Sequence, residues 1–284
     1  MWLQPAEQRM KFANLIIIIK PYSMKFSLAK AVGLLVLIVS TSSFFSSCKK
    51  PTSEPAPVTK IKSVFSPEDE LTFEYNNNGS VKTVQLKNSF VTSGDLVNYA
   101  VHYNAQGKIT EIVSDEDIRI VPVYAEGKLK EASFETLDGT LLLQTDYAYL
   151  DERLKTVTIT TAAGQPWMRF GFDYTTEGNI AKTSFFGQDP FNPDQFMSSG
   201  TVTYTYDTKI NPLNEVRDIL HLLWLPVNPN NTLSEVHKDR DGLLEETVNY
   251  SYQYHSNKTP KSAVMQSTVP GQATENINLF FAYF

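Results

Sequence analysis

The 284-residue chain has one cysteine, Cys48, and four histidines, His102, His221, His237 and His255. A single thiol cannot close an internal disulfide, and a structural zinc site needs several closely spaced Cys or His ligands, which these scattered histidines do not offer. Neither a disulfide scaffold nor a metal centre is expected, so Cys48 must serve another purpose. Apolar runs are short: none approaches the ~20 residues that cross a bilayer as a helix. Glycine motifs for phosphates or dinucleotides are missing, as is the Gly-x-Ser-x-Gly elbow of many serine hydrolases. No catalytic residue and no cofactor is therefore assigned. A cationic surplus is lacking too. Taking the five Lys or Arg and the one Glu of residues 1–47 out of the formal charge of −6 leaves −10 on the rest. Such a body repels phosphate backbones, which argues against nucleic acid as a partner.

What is present begins with an export signal. From Met24 the chain runs through Lys25 and Lys30, then the apolar stretch 31–39, then small polar residues ending in Phe45-Ser-Ser-Cys48. A basic start, a nine-residue apolar run and a small-residue cleavage region form a secretory leader, too short to remain as a membrane anchor. The last four residues resemble the lipobox of bacterial lipoproteins. That resemblance implies cleavage before Cys48, acylation of its thiol and amine, and attachment to the outer membrane, with the side of that membrane left open. Residues 1–23 precede a complete signal, so Met24 is read as the true start. Residues 48–62, beginning Cys-Lys-Lys-Pro-Thr-Ser-Glu-Pro-Ala-Pro, have little to bury and read as the lipidated N-terminus and a tether.

Residues 63–284 read as one all-β domain. A tyrosine, a short turn carrying glycine and an apolar residue recur in order: Tyr75 with Gly79 and Val81, Tyr103 with Gly107 and Ile109, Tyr124 with Gly127 and Leu129, Tyr174 with Gly178 and Ile180. Tyr149-Leu-Asp-Glu-Arg-Leu154 fits with Glu152 in the glycine slot. Hairpin loops of this length commonly include a residue at positive φ, where glycine meets no steric penalty. The flanks alternate with period two, as in Val97-Asn-Tyr-Ala-Val-His-Tyr103 and Val248-Asn-Tyr-Ser-Tyr-Gln-Tyr254. The expected fold is a meander of antiparallel hairpins forming a strongly curved sheet or open barrel. One short helical insertion near 213–225, ending before Pro226, breaks the rhythm and is read as a plug or cap.

This pattern resembles the YD-type repeat proteins, and the chain is similar to uncharacterised Bacteroidetes-type lipoproteins. The latter pair such hairpins with a segment like Tyr204-Thr-Tyr-Asp-Thr-Lys-Ile-Asn-Pro212 and a later Asn230-Asn231. Only Tyr206-Asp207 keeps the residue pair that names the repeat. The lipoprotein resemblance implies no established reaction.

Candidate binding residues are few. The loop 187–197, long, proline-bearing and carrying Phe191 and Phe196, is the best candidate surface, and Trp167 is a further aromatic that could stack on a ligand. Asp115-Glu116-Asp117 lacks the ligand spacing of a calcium loop and reads as a solvated turn. Glu245 and Glu246 adjoin a strand, so alternation sends them to opposite faces. The expected function is a cell-envelope lipoprotein with a non-enzymatic binding or structural role, its partner a protein or glycan besides the membrane reached through the lipid. The alternatives are a secreted hydrolase with an unrecognised site and a transmembrane β-barrel, the latter prompted by the strand count and the aromatic C-terminus.

Overall fold

The computed structural model describes residues 60–87 and 95–284. Cys48 and the expected leader lie outside the described residues. Sixteen strands, β1 (Ile61–Phe65) to β16 (Glu275–Tyr283), pair in chain order, and β16 pairs back onto β1 to close a barrel. Every pairing is antiparallel, so the meander is borne out and the sheet closes fully. Closure matters energetically, because it leaves no edge strand with unpaired backbone groups. The first strand opens at Ile61, two residues ahead of the expected boundary at 63.

Alternation sorts each strand into an inner and an outer face. On β9 (Arg153–Thr161), Val157 and Ile159 are buried while Thr156, Thr158 and Thr160 point outward. On β12 (Phe196–Ile210), Val202 is buried and its neighbours are Thr201 and Thr203. Inward residues such as Phe73, Leu86, Ile112, Ile120, Phe134, Val248 and Leu279 join one continuous apolar cluster. Sixteen strands would ordinarily enclose a lumen. Here the connection from β12 to β13 (Asn230–Asp239) fills it. A 3-10 turn over Pro212–Val216 leads into α1 (Arg217–Leu222), whose Ile219, Leu220 and Leu222 are buried in that same cluster. The expected helical insertion is therefore an internal plug.

The repeated tyrosines have a structural job. The strand register slips at Tyr75, Tyr103, Tyr124, Tyr149, Tyr174, Tyr206 and Tyr254, each just before its turn. Such a bulge re-aims the side chain. Tyr174 Oη then donates to the Leu154 carbonyl at 2.8 Å, Tyr206 Oη to Ile180 at 2.6 Å, and Tyr283 Oη to Pro260 at 2.9 Å. In each case the acceptor is at or beside the apolar residue that follows the previous turn. Cations complete the latch: Lys108 lies over Tyr124, Lys128 over Tyr149 and Arg153 over Tyr174. A hydrogen bond of about 1 kcal/mol, a cation–π contact of about 0.5–1 kcal/mol or, at Tyr174, both thus tie these hairpins to their predecessors. Since tyrosine and apolar residue belong to neighbouring hairpins, the repeat length is one two-stranded unit.

Turn chemistry also agrees with expectation where glycine is absent. Asp151 and Glu152 take positive φ of 48° and 67°, matching Glu126 and Gly127 at 51° and 83° in the equivalent turn. Glu152 therefore does occupy the glycine slot. Gly200 is different in kind: it lies inside β12, and a Cβ there would sit 2.5 Å from the Lys238 carbonyl oxygen of β13. Neither backbone can yield without parting the strands. Gly200→Ala is expected to lower unfolding free energy by about 2 kcal/mol or more in urea denaturation.

Candidate functional site

Chain direction gives the barrel two unlike ends. The tyrosine turns, the plug connection, the start of β1 and the C-terminus share one rim. The opposite rim holds the loops around 66–69, 115–117, 137–140, 189–195 and 240–243. Its described loops carry Glu68, Asp69, Asp115, Glu116, Asp117, Asp138, Asp189, Asp194 and Asp241, with Arg240 as their only Lys or Arg. Asp115 accepts hydrogen bonds from the Asn98 side chain at 2.6 Å and backbone at 3.0 Å, which hold its pKa below the usual carboxylate range. The segment 115–117 is thus a structured turn between β5 (Ile109–Ser114) and β6 (Ile118–Ala125).

The expected binding residues separate. Phe191 stands at the tip of the acidic rim with 93% of its surface exposed. Phe196, at the base of the same loop, packs against the Arg169 guanidinium, whose other contact is Phe186. Trp167 belongs to β10 (Pro166–Tyr174) and meets Trp224 with ring centroids 5.6 Å apart. Trp224 ends α1 in a Schellman motif: Leu225 N donates to the Leu220 carbonyl and Trp224 N to that of His221. Its φ of 58° is one that glycine normally supplies. The strain is offset by the ring, which packs on Phe134 at 4.5 Å and donates from Nε1 to Thr145 Oγ1 at 3.3 Å. Trp167 and Trp224 therefore lock the plug to the wall.

An asparagine clamp holds the other side of the plug. Asn211 caps the 3-10 turn by accepting from Leu213 N at 3.0 Å, while its own N–H bonds the Pro229 carbonyl at 2.8 Å and closes the neck. Asn179 and Asn230 bond reciprocally, and Asn228 Oδ1 accepts from Ile180 N at 2.7 Å. Asp207 accepts from Tyr254 Oη and from Asn231. The segment 204–212 and the pair Asn230-Asn231 are thereby joined: they are the two stems of the plug.

Between the plug and the wall lies a pocket of about 120 Å³. Its lining includes Leu213, Pro226, Val227 and Asn228 from the plug connection, and Tyr204, Glu235, Tyr250, Tyr252 and Phe281 from the wall. Glu235 is 4% exposed. Its Oε1 accepts from Tyr250 Oη at 2.6 Å, and its Oε2 lies 3.0 Å from His237 Nε2. His237 is fully buried and paired in register with Glu246, itself buried on β14 (Leu244–Tyr254). Ser267 Oγ donates to Glu246 Oε1. The buried His237 Nδ1 and Glu246 Oε2 meet no hydrogen-bond partner among the described residues. Glu245 and Glu246 do face opposite ways, as alternation requires. That Glu246 would face the core beside a histidine was not expected. The signal was available in part: Glu235 and His237 are two apart on a strand and share a face, but the register that adds Glu246, Tyr250 and Ser267 comes from three strands. Among the described residues, no group of three or more His, Cys, Asp or Glu is arranged to hold a metal ion.

These features define a class: a closed, antiparallel sixteen-stranded barrel with an internal plug between its twelfth and thirteenth strands. No family profile matches the sequence, and no curated protein matches it significantly. A solved structure does share the fold. A porin-like protein from Bacteroides uniformis aligns with a TM-score of 0.52 at 15% identity, covering 79% of this chain and 95% of its own. A second porin-like protein, from Bacteroides vulgatus, aligns with a TM-score of 0.49 at 16% identity, covering 80% of this chain and 98% of its own.

Proposed function

We propose that this protein is an outer-membrane lipoprotein, held by fatty chains on Cys48, whose plugged barrel stands in water and acts as a non-enzymatic binding module. The observation that carries the reading is the distribution of polarity across the sheet. A barrel that spans a bilayer presents an apolar band to lipid and a polar lumen. This barrel is the reverse. Its interior is an apolar cluster closed by a plug, and its outward positions include Thr156, Thr158 and Thr160, then Thr247, Asn249, Ser251 and Gln253. On β2 (Glu70–Tyr75) the outward residues are Glu70, Thr72 and Glu74. Charged side chains at the bilayer midplane cost up to several kcal/mol each.

The tether fits this arrangement. Residues 49–60 separate Cys48 from β1 and reach at most about 40 Å when extended. Because β1 begins at the tyrosine rim, that rim faces the membrane and the acidic rim faces away. Negative charge is thus kept from anionic headgroups, and Phe191, with the exposed Leu243 and Leu244, is offered to a protein or glycan partner.

A second reading, a membrane-spanning barrel, draws support from the fold shared with the porin-like protein of Bacteroides uniformis. One experiment separates the two. Residues 58–284, expressed without the leader, are expected to remain monodisperse in detergent-free buffer by size-exclusion chromatography with light scattering. Aggregation that detergent alone relieves would favour the spanning reading.

A further inference from the structure

We infer that the pocket beside the plug is a binding site for a small organic ammonium ion. The first argument is charge. Among the described residues of the barrel wall, the buried acidic and basic side chains are Glu235, His237 and Glu246, with no Lys or Arg among them. Two carboxyl groups share this interior with one imidazole and with no Lys or Arg, so the wall supplies no fixed cation to set against Glu235. The second argument is the lining. Glu235 is the only ionisable group among the lining residues apart from tyrosine hydroxyls, so the lining offers a carboxyl group and no cationic side chain.

The third argument is the wall itself. Tyr204, Tyr250, Tyr252 and Phe281 make it aromatic, and aromatic rings attract alkylammonium groups through their negative faces while also burying the methyls. An inorganic cation would gain less here, since its oxygen ligands would have to replace a full hydration shell. Size sets the upper limit. About 120 Å³ corresponds to roughly four waters at ~30 Å³ each, enough for an ammonium bearing a few carbons. The pocket is bordered by the exposed Pro226, which offers an entry past the end of the plug. The inference does not depend on how the barrel is anchored.

Calorimetric titration of the full-length protein tests it with four probes: tetramethylammonium, its uncharged near-isostere tert-butanol, potassium and acetate. Saturable binding of tetramethylammonium is expected, with tert-butanol and potassium at least tenfold weaker and acetate silent. Glu235→Gln should weaken tetramethylammonium at least tenfold. Phe191→Ala, on the opposite rim and away from the pocket, should change it by less than about threefold. Should Glu235→Gln fail to fold, Tyr204→Leu removes an aromatic wall without touching a buried charge and is expected to weaken the same probe several-fold. Equal binding of tert-butanol, a potassium response as strong as that of tetramethylammonium, or no binding at all to folded wild-type protein would overturn the proposal.

Discussion

Replacing Cys48 with serine is expected to move the protein from the membrane fraction to the soluble fraction of native cells, changing the ratio of the two by well over tenfold. Each methylene of a fatty chain buried in a bilayer contributes ~0.8 kcal/mol, so two or three chains hold firmly where one holds weakly. Under the proposed reading these chains are the main hold on lipid. The outward face of the sheet is rich in threonine, asparagine, glutamine and charge, and among the described residues no helix is long and apolar enough to cross a membrane. Fractionation followed by immunoblotting checks the outcome. Retention of Cys48→Ser in the membrane, extractable by detergent alone, would point to strands in contact with lipid and sink the lipoprotein reading.

Acid is expected to destabilise the barrel through His221. This side chain belongs to the plug, and burial, reinforced by the neighbouring Arg217 charge, lowers its pKa from 6.5 to about 4; Asp218 opposes the shift. The folded protein therefore binds fewer protons than the unfolded chain between those values, and stability must rise with pH across that interval. Read downward, the loss starts near pH 6.5 and is complete below about pH 4. A shift of this size corresponds to about 3 kcal/mol at most, a large part of a typical domain's margin. Urea titrations at pH 7, 5.5 and 4.5, followed by tryptophan fluorescence from Trp167 and Trp224 beside the plug, give the slope. His221→Gln should flatten it. A wild-type profile no steeper than that of His221→Gln would remove His221 from the account.

The hairpins were legible because each is encoded locally. Tyr103, Gly107 and Ile109 lie within seven residues, and the alternation of Val97 to Tyr103 needs no partner strand to be seen. Even Glu152 in a glycine slot could be placed, since the turn around it has the spacing of its neighbours. The plug was legible as an insertion, through the break in rhythm after Tyr206. Its depth was not: that depends on Trp224 reaching Phe134 and Trp167, contacts across 57 to 90 positions of chain. Of the expected binding residues, Phe191 alone stands free at a loop tip. Trp167 turned inward, because on a strand the choice of face belongs to register rather than to residue type.

The repeat was thus set by the sequence alone: tyrosine-glycine hairpins whose turn chemistry operates over a handful of residues. Closure of the meander, the filling of its lumen and the meeting of Glu235, His237 and Glu246 were decided only in three dimensions. The physical reason is range. Turn geometry and alternation act between near neighbours, whereas pairing β16 with β1 and burying three ionisable groups together require strands that are far apart in the chain to choose one register and one face.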